Sequence, residues 1–172
     1  METKCVRVNQ LPKRVAQLSW RMGYAAASHV VPRYRAMSVG AANSLCTRER
    51  PAGLQKVIGM VRARGVAGDV IECGVYRGGL AVVIGERLLN NGHRHAMWLY
   101  NVFSSMPQPG ANDPAVAWDH LRRYKSGEAI VRQTFHTARV SHDRAHFAVG
   151  LFEQTMQRLS PAPIAFLHVD CD

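Results

Sequence analysis

The stretch GDVIECGVYRGG, residues 68–79, constrains the fold of this chain more than any other feature. It opens on a short, β-branched apolar run at 69–73, which is typical of a strand buried on both faces of a parallel sheet. Glu72 stands inside that run, and three glycines follow it. On its own, this pattern fits a ligand-binding loop and a tight strand-to-helix turn equally well.

Strand and helix patterns alternate along the rest of the chain. Short apolar runs predict four strands, at 69–73, 96–100, 145–149 and 164–169. Helices are predicted between them, from Leu54, at 80–92, from near Asp113, at 127–139 and at 152–159. Such a series predicts an α/β protein with a parallel, doubly wound sheet. We expect the strand order 3-2-1-4.

Two of these helices have predicted buried faces. The expected inward residues are Leu54, Val57, Ile58 and Val61 in the first and Ile130, Val131 and Phe135 in the second. We take residues 51–172 as one domain. Residues 1–50 are expected to be a separate basic segment, mostly helical or irregular, with breaks at Pro12, Gly23, Pro32 and Gly40.

Basic charge is concentrated in residues 1–50, which hold nine Lys or Arg and two Glu, against thirteen and ten in the remainder. This segment fits attraction to nucleic acid or an anionic surface, a transit peptide, or solvated helix faces that cover an active site. The basic residues are neither clustered nor interleaved with aromatics, which favours the third interpretation. A small basic nucleic-acid-binding protein is the alternative from another class.

No apolar run reaches the roughly 18 residues that a membrane span needs, so we expect a soluble protein with no membrane partner. Cysteines stand at 5, 46, 73 and 171, without the spacing of a disulfide framework or a zinc site. This distribution favours free thiols and a cytoplasmic location.

The glycines after Glu72 can shape a ligand loop. Gly74 is expected to make the turn, while Gly78 and Gly79 open a helix whose N–H groups attract a carboxylate or phosphate. The spacing is not that of a dinucleotide fingerprint or a P-loop. An acid at the end of a buried strand is costly without a partner, so Glu72 favours a cationic or hydroxyl-bearing ligand.

A second group of polar residues is HVDCD, at 168–172. Asp170 and Asp172 can hold a hard divalent cation or act as a base, or they are solvated loop acids. His168 is expected to be a satisfied core histidine. Because the first and fourth strands are neighbours in the expected order, Glu72 and Asp170 should lie close together, as an enzyme cleft requires.

Four motifs, in order and in spacing, resemble the macrocin O-methyltransferase family: GDVIECGVYRGG, WLYNVFSSMP, FAVGLFEQT and PIAFLHVDCD. The stretch TRERPAGLQKVIGMVRARGVAGD resembles the family's lead-in helix, so the resemblance covers about 47–172. It implies a Rossmann-like, class I methyltransferase that uses S-adenosylmethionine and a divalent cation, usually magnesium. Such enzymes methylate a sugar hydroxyl of a glycosylated natural product in antibiotic biosynthesis.

Carried over by motif, the resemblance assigns the methyl-donor pocket to Glu72, Gly74, Gly78, Gly79 and, beside them, Tyr76 and Arg77. Asp170 matches a metal ligand and candidate catalytic base, and Asp172 matches the second acid of that metal site. The chemistry agrees, because metal binding beside a carboxylate lowers the pKa of a sugar hydroxyl before it attacks a sulfonium methyl.

The chain departs from the family at the end of the second strand. The family pattern there is Tyr-Asp-x-Phe-Glu-Gly-x-Pro, and its Asp holds the donor's ribose. This chain has YNVFSSMP, with Asn101, Ser104 and Ser105 in place of the Asp, Glu and Gly. A neutral amide lacks the charge-assisted grip of a carboxylate, so we expect Asn101 to hold the donor more weakly.

The family also continues beyond the position of Asp172, with further strands and an Asp-Asp pair that completes the metal site. We therefore interpret the chain as a truncated O-methyltransferase, with a catalytically dead remnant as the alternative. The fourth strand, IAFLHV, would then form a sheet edge without proline or inward charge to protect it. We expect poor solubility or a homo-oligomer that pairs through this strand.

Overall fold

The computed structural model describes residues 31–47, 49–89, 96–104, 108–112, 114, 126–158 and 163–170. The expectations for 1–30, for the helix from near Asp113, for Ser105, and for Cys171 and Asp172 lie outside these ranges. The described elements are, in chain order, α1 (Pro32–Ala42), α2 (Glu49–Ala63), β1 (Asp69–Cys73), α3 (Gly79–Leu88), β2 (Met97–Asn101), α4 (Glu128–Ala138), β3 (Ala145–Val149), α5 (Phe152–Thr155), a 3-10 turn (Met156–Arg158) and β4 (Ile164–Val169).

The described strands form one parallel sheet in the order β3-β2-β1-β4, which confirms the predicted topology. β1 pairs with β2 on one side and with β4 on the other. The chain therefore winds outward from β1 to β3 and then returns past β1 to form β4. Ligands of doubly wound sheets bind beyond the carboxyl ends of the strands at such a reversal.

The main hydrophobic core lies between one face of the sheet and helices α1 to α4. Helix α3 is at its centre, since its residues from Leu80 to Ile84 and Leu88 are buried. Helix α1 packs closely on α3 where two glycines meet. A Cβ on Gly79 would lie 2.5 Å from the carbonyl oxygen of Gly40 and 2.6 Å from the backbone of Asn43. Only glycine allows that approach.

The predicted breaks at Pro32 and Gly40 have different outcomes, since a helix begins at the first and continues through the second, so that only the break at Gly40 is wrong. Pro32 begins α1 at its first helical position, where its missing N–H has no intrahelical partner to lose. Gly40 lies inside α1, and its lack of a side chain serves the contact with Gly79. The boundary proposed at residue 50 stays a prediction, and α2 begins at Glu49.

Two side chains predicted to face inward are exposed. In α2, Leu54 and Ile58 are buried but Val57 is 43% exposed. In α4, Val131 and Phe135 are buried but Ile130 is 36% exposed. In both helices the apolar residues cover a wider arc than the stripe that contacts the core.

The opposite face of the sheet is only partly covered by the described residues. Ile71, Cys73 and Tyr100 are buried there against Phe152 and Met156. Strand β4 lies at an edge among the described strands, and its apolar side chains Ile164, Leu167 and Val169 are 48%, 52% and 59% exposed. None of the described helices has the length and apolar character that crossing a bilayer requires.

Candidate functional site

A cavity of about 660 Å³ opens at the carboxyl ends of β1, β2 and β4. This is the size and the position expected for a small-molecule site in a doubly wound sheet. Its walls come from distant parts of the chain: the segment 43–47 before α2, the turn after β1, the end of β2, and Asp170 after β4. The segment 43–47, which contains no basic residue, forms one wall of the cavity, and the role of the basic N-terminal region stays a prediction.

The turn after β1 depends on backbone conformations that favour glycine. Gly74 and Gly78 have φ angles of +85° and +81°, and Tyr76 also has a positive φ of +49°. The N–H of Gly74 donates to the carbonyl of Tyr100 (3.0 Å), which ties the turn to β2. The opening stretch is therefore both a tight turn and one wall of the cavity.

The residues predicted to bind the methyl donor divide into two groups. Glu72, Gly74, Tyr76, Gly79 and Asn101 line the cavity. Gly78 serves packing instead, since a Cβ there would lie 2.9 Å from Cγ1 of Val131. Arg77 is exposed and does not line the cavity, because the turn directs its side chain outward.

Glu72 is buried, with 1% of its surface exposed, and it faces His168 across the paired strands β1 and β4. Nδ1 of His168 lies 3.3 Å from Oε1 of Glu72. Burial raises the pKa of Glu72, although the hydrogen bond from His168 opposes that shift. The same hydrogen bond raises the pKa of His168. His168 is thus a satisfied histidine, and Oε2 of Glu72 has no hydrogen-bond partner among the described residues.

Asp170 enters the cavity directly after β4, where its N–H donates to the carbonyl of Cys73 (2.8 Å). Its Oδ1 forms an ion pair with the guanidinium of Arg50, in the first turn of α2. Its Oδ2 lies 3.4 Å from the sulfur of Cys46. Burial raises the pKa of the Cys46 thiol, so Cys46 is a hydrogen-bonding group here rather than a nucleophile.

Asn101, at the end of β2, is held by two hydrogen bonds. Its Oδ1 accepts from the N–H of Val102 (3.0 Å), and its Nδ2 donates to the hydroxyl of Ser126 (3.2 Å). Ser104 and Ser126 also line the cavity. The end of β2 therefore presents amide and hydroxyl groups where the family pattern has carboxylates.

The described residues alone do not fit a magnesium site. They contain no group of three or more His, Cys, Asp or Glu side chains placed to hold a metal ion. Of the two expected ligands, Asp172 lies outside the described ranges and Asp170 is already paired with a cationic side chain. Magnesium is a hard cation that needs several oxygen ligands in octahedral geometry. We assign no step to a metal.

Arg50 and Cys46 line the cavity, although the sequence motifs assigned them no function. Cys46 lies before α2 and Arg50 lies in its first turn, and both side chains contact Asp170. Arg50 and Asp170 are 120 positions apart in the sequence. The only sequence signal for Arg50 was its place in the lead-in stretch TRERPAGLQ, which assigned it no function.

The fold and the cavity define the protein as a doubly wound α/β protein with a cavity at the reversal of its sheet. The solved structure of the O-methyltransferase NovP has this fold. It matches with a TM-score of 0.64 and 23% sequence identity, over 74% of this chain and 55% of that one.

The family model described as Macrocin-O-methyltransferase (TylF) matches residues 19–172, and the chain belongs to this family. A similar protein of Streptomyces olivaceus is the 8-demethyl-8-(2,3-dimethoxy-alpha-L-rhamnosyl)-tetracenomycin-C 4'-O-methyltransferase, 28% identical over 76% of this chain and 52% of the relative. The mycinamicin III 3''-O-methyltransferase of Micromonospora griseorubida is 27% identical over 76% of this chain and 55% of the relative. The chain thus spans about half the length of these relatives.

Proposed function

We propose that the chain binds S-adenosylmethionine in the cavity and contributes to methyl transfer onto a sugar hydroxyl of a small glycosylated natural product. The observation that carries the proposal is Oε2 of Glu72, which is buried beside the cavity and has no hydrogen-bond partner among the described residues. A buried carboxylate oxygen without a partner costs free energy, and a ligand with ammonium or hydroxyl groups would supply one. The names of the two sugar O-methyltransferase relatives support the acceptor class.

Each cavity residue has a role suited to such a donor. Gly74 lets the ligand approach the backbone because it carries no Cβ, whereas the missing Cβ of Gly79 serves its close contact with α1. Asn101 is placed at the end of β2 to bind ribose hydroxyls, and Tyr76 borders the same space. Bound there, the donor supplies an electrophilic methyl group on a sulfonium.

Asp170 is the proposed base for the acceptor. Its Oδ1 is held by Arg50, so Oδ2, which faces the thiol of Cys46, is the atom left to take the hydroxyl proton. A donor-binding protein without turnover is the alternative, because both carboxylate oxygens of Asp170 already have partners, in Arg50 and Cys46. We keep a cytoplasmic location as a proposal, supported by Cys46, which forms no disulfide among the described residues.

Titration calorimetry of S-adenosylhomocysteine into the 172-residue chain tests donor binding. We expect binding that weakens at least about tenfold in Glu72→Gln, which loses a charge-assisted bond, and tightens roughly tenfold to a hundredfold in Asn101→Asp, which gains one. An aspartate fits at position 101, because its oxygens can accept from both Val102 N–H and the Ser126 hydroxyl. A folded chain that binds nothing, or equal affinities in all three proteins, would refute the proposal.

We also propose that two copies of this chain pair through β4. Its edge position among the described strands and its three exposed apolar side chains support antiparallel pairing of identical strands. In sedimentation velocity at tens of micromolar we expect a dimer or larger species, and a shift to monomer in Leu167→Lys. The control is Met60→Lys, which places the same charge on an exposed apolar position of α2. A monomeric parent chain would contradict this proposal.

A further inference from the structure

Arg50 is the only cationic side chain among the described residues that line the cavity. Its guanidinium reaches inward from the first turn of α2, where Pro51 is buried, and half of its side-chain surface remains exposed. It pairs with Asp170 and lies 3.5 Å from the sulfur of Cys46. In the roles discussed above Arg50 only holds Oδ1 of Asp170, and neither role brings its guanidinium to the ligand.

The charges of the cavity are arranged as a complement to a zwitterion. Glu72 offers a buried carboxylate oxygen with no described partner, and Arg50 offers a planar guanidinium. An amino acid end carries an ammonium, which needs an acceptor, and a carboxylate, which guanidinium groups bind through two parallel hydrogen bonds. Asp170 lines the same cavity and contacts the guanidinium of Arg50.

We propose that Arg50 binds the α-carboxylate of the donor's methionyl group, an inference that rests on the proposed donor site. Asp170 holds the guanidinium at the cavity through Nη1. The remaining N–H groups of the half-exposed guanidinium are then available to the donor's carboxylate, while Nη1 stays on Asp170. The cavity thereby distinguishes intact donor from fragments that lack the amino acid end.

The experiment compares three ligands that differ only at this end. S-adenosylhomocysteine carries both ammonium and carboxylate, its decarboxylated analogue keeps the ammonium, and 5'-methylthioadenosine has neither. Calorimetry with Arg50→Ala is expected to show a loss of about tenfold to a hundredfold for S-adenosylhomocysteine. The affinities for the other two ligands should change less than about threefold. Arg62→Ala, on the same helix but outside the cavity lining, is the matched control.

The outcomes separate this inference from the function on which it rests. Equal losses for all three ligands in Arg50→Ala would show that Arg50 only supports the shape of the cavity, and unchanged affinity for S-adenosylhomocysteine would show that it does not bind the carboxylate. Either result overturns the inference while donor binding stands. If the parent chain binds none of the three ligands, the donor site itself is refuted. A partial recovery in Arg50→Lys would support a charge that acts directly on the ligand.

Discussion

Replacing Phe135 by alanine is expected to lower the free energy of unfolding by about 3–5 kcal/mol. The side chain is fully buried at the centre of the inner face of α4. Its ring packs toward Gly85 of α3 and meets the ring of His142 edge-on, with centroids 6.2 Å apart. Removing it leaves a cavity between two helices and the sheet that neighbouring side chains can fill only partly. Urea unfolding followed by circular dichroism measures the change.

Ile130→Ala is the matched control, since it removes an apolar side chain from the same helix at a position 36% exposed. We expect it to cost about 1–2 kcal/mol, because the side chain is smaller, 36% of its surface stays in water and the space it leaves opens to solvent. Similar losses in the two variants would mean that α4 is packed differently from the arrangement described.

Gly79→Ala should damage both folding and the cavity. The added Cβ would meet the backbone of Gly40 and Asn43 at 2.5–2.6 Å, and backbone cannot move aside as a flexible side chain can. Overpacking of this kind costs about 1–3 kcal/mol of stability. Because Asn43 itself lines the cavity, we also expect weaker binding of S-adenosylhomocysteine in calorimetry.

Gly53→Ala is the same substitution at another helical glycine, and we expect it to have the opposite effect on stability. Gly53 lies in α2, and a Cβ there would meet nothing within 4 Å. The higher helix propensity of alanine should therefore stabilise the protein by about 0.5–1 kcal/mol. If Gly79→Ala were also neutral or stabilising, the close contact between α1 and α3 would be wrong.

The sheet could be predicted from the sequence because its signals are local. Each strand is a short apolar run between breakers, and the order β3-β2-β1-β4 is one of the common arrangements of doubly wound sheets. The expectation that Glu72 and Asp170 approach each other rested on that order, and both line the cavity. The predictions that Val57 and Ile130 face inward are wrong because the width of the buried face of a helix depends on the elements packed against it rather than on the helix itself.

The partners within the site could not be predicted in this way. Arg50 meets Asp170, and His168 meets Glu72, only because helix α2 and strand β4 converge on one end of the sheet. Nothing in the spacing of an arginine on a lead-in helix indicates which acid it will contact. The outward position of Arg77, next to Tyr76 in the cavity wall, likewise depends on the conformation of one turn.

The pairing of Glu72 with His168 also sets an order of events during synthesis. The two residues are 96 positions apart, while β1, β2 and β3 can pair with one another before β4 has left the ribosome. Until β4 pairs with β1, the nascent chain has the glycine turn but lacks the contacts of His168 and Asp170 at the cavity. Contacts of such long sequence separation form late and slowly. We therefore expect ligand binding to appear only after β4 has paired with β1, later than the collapse of the first three strands.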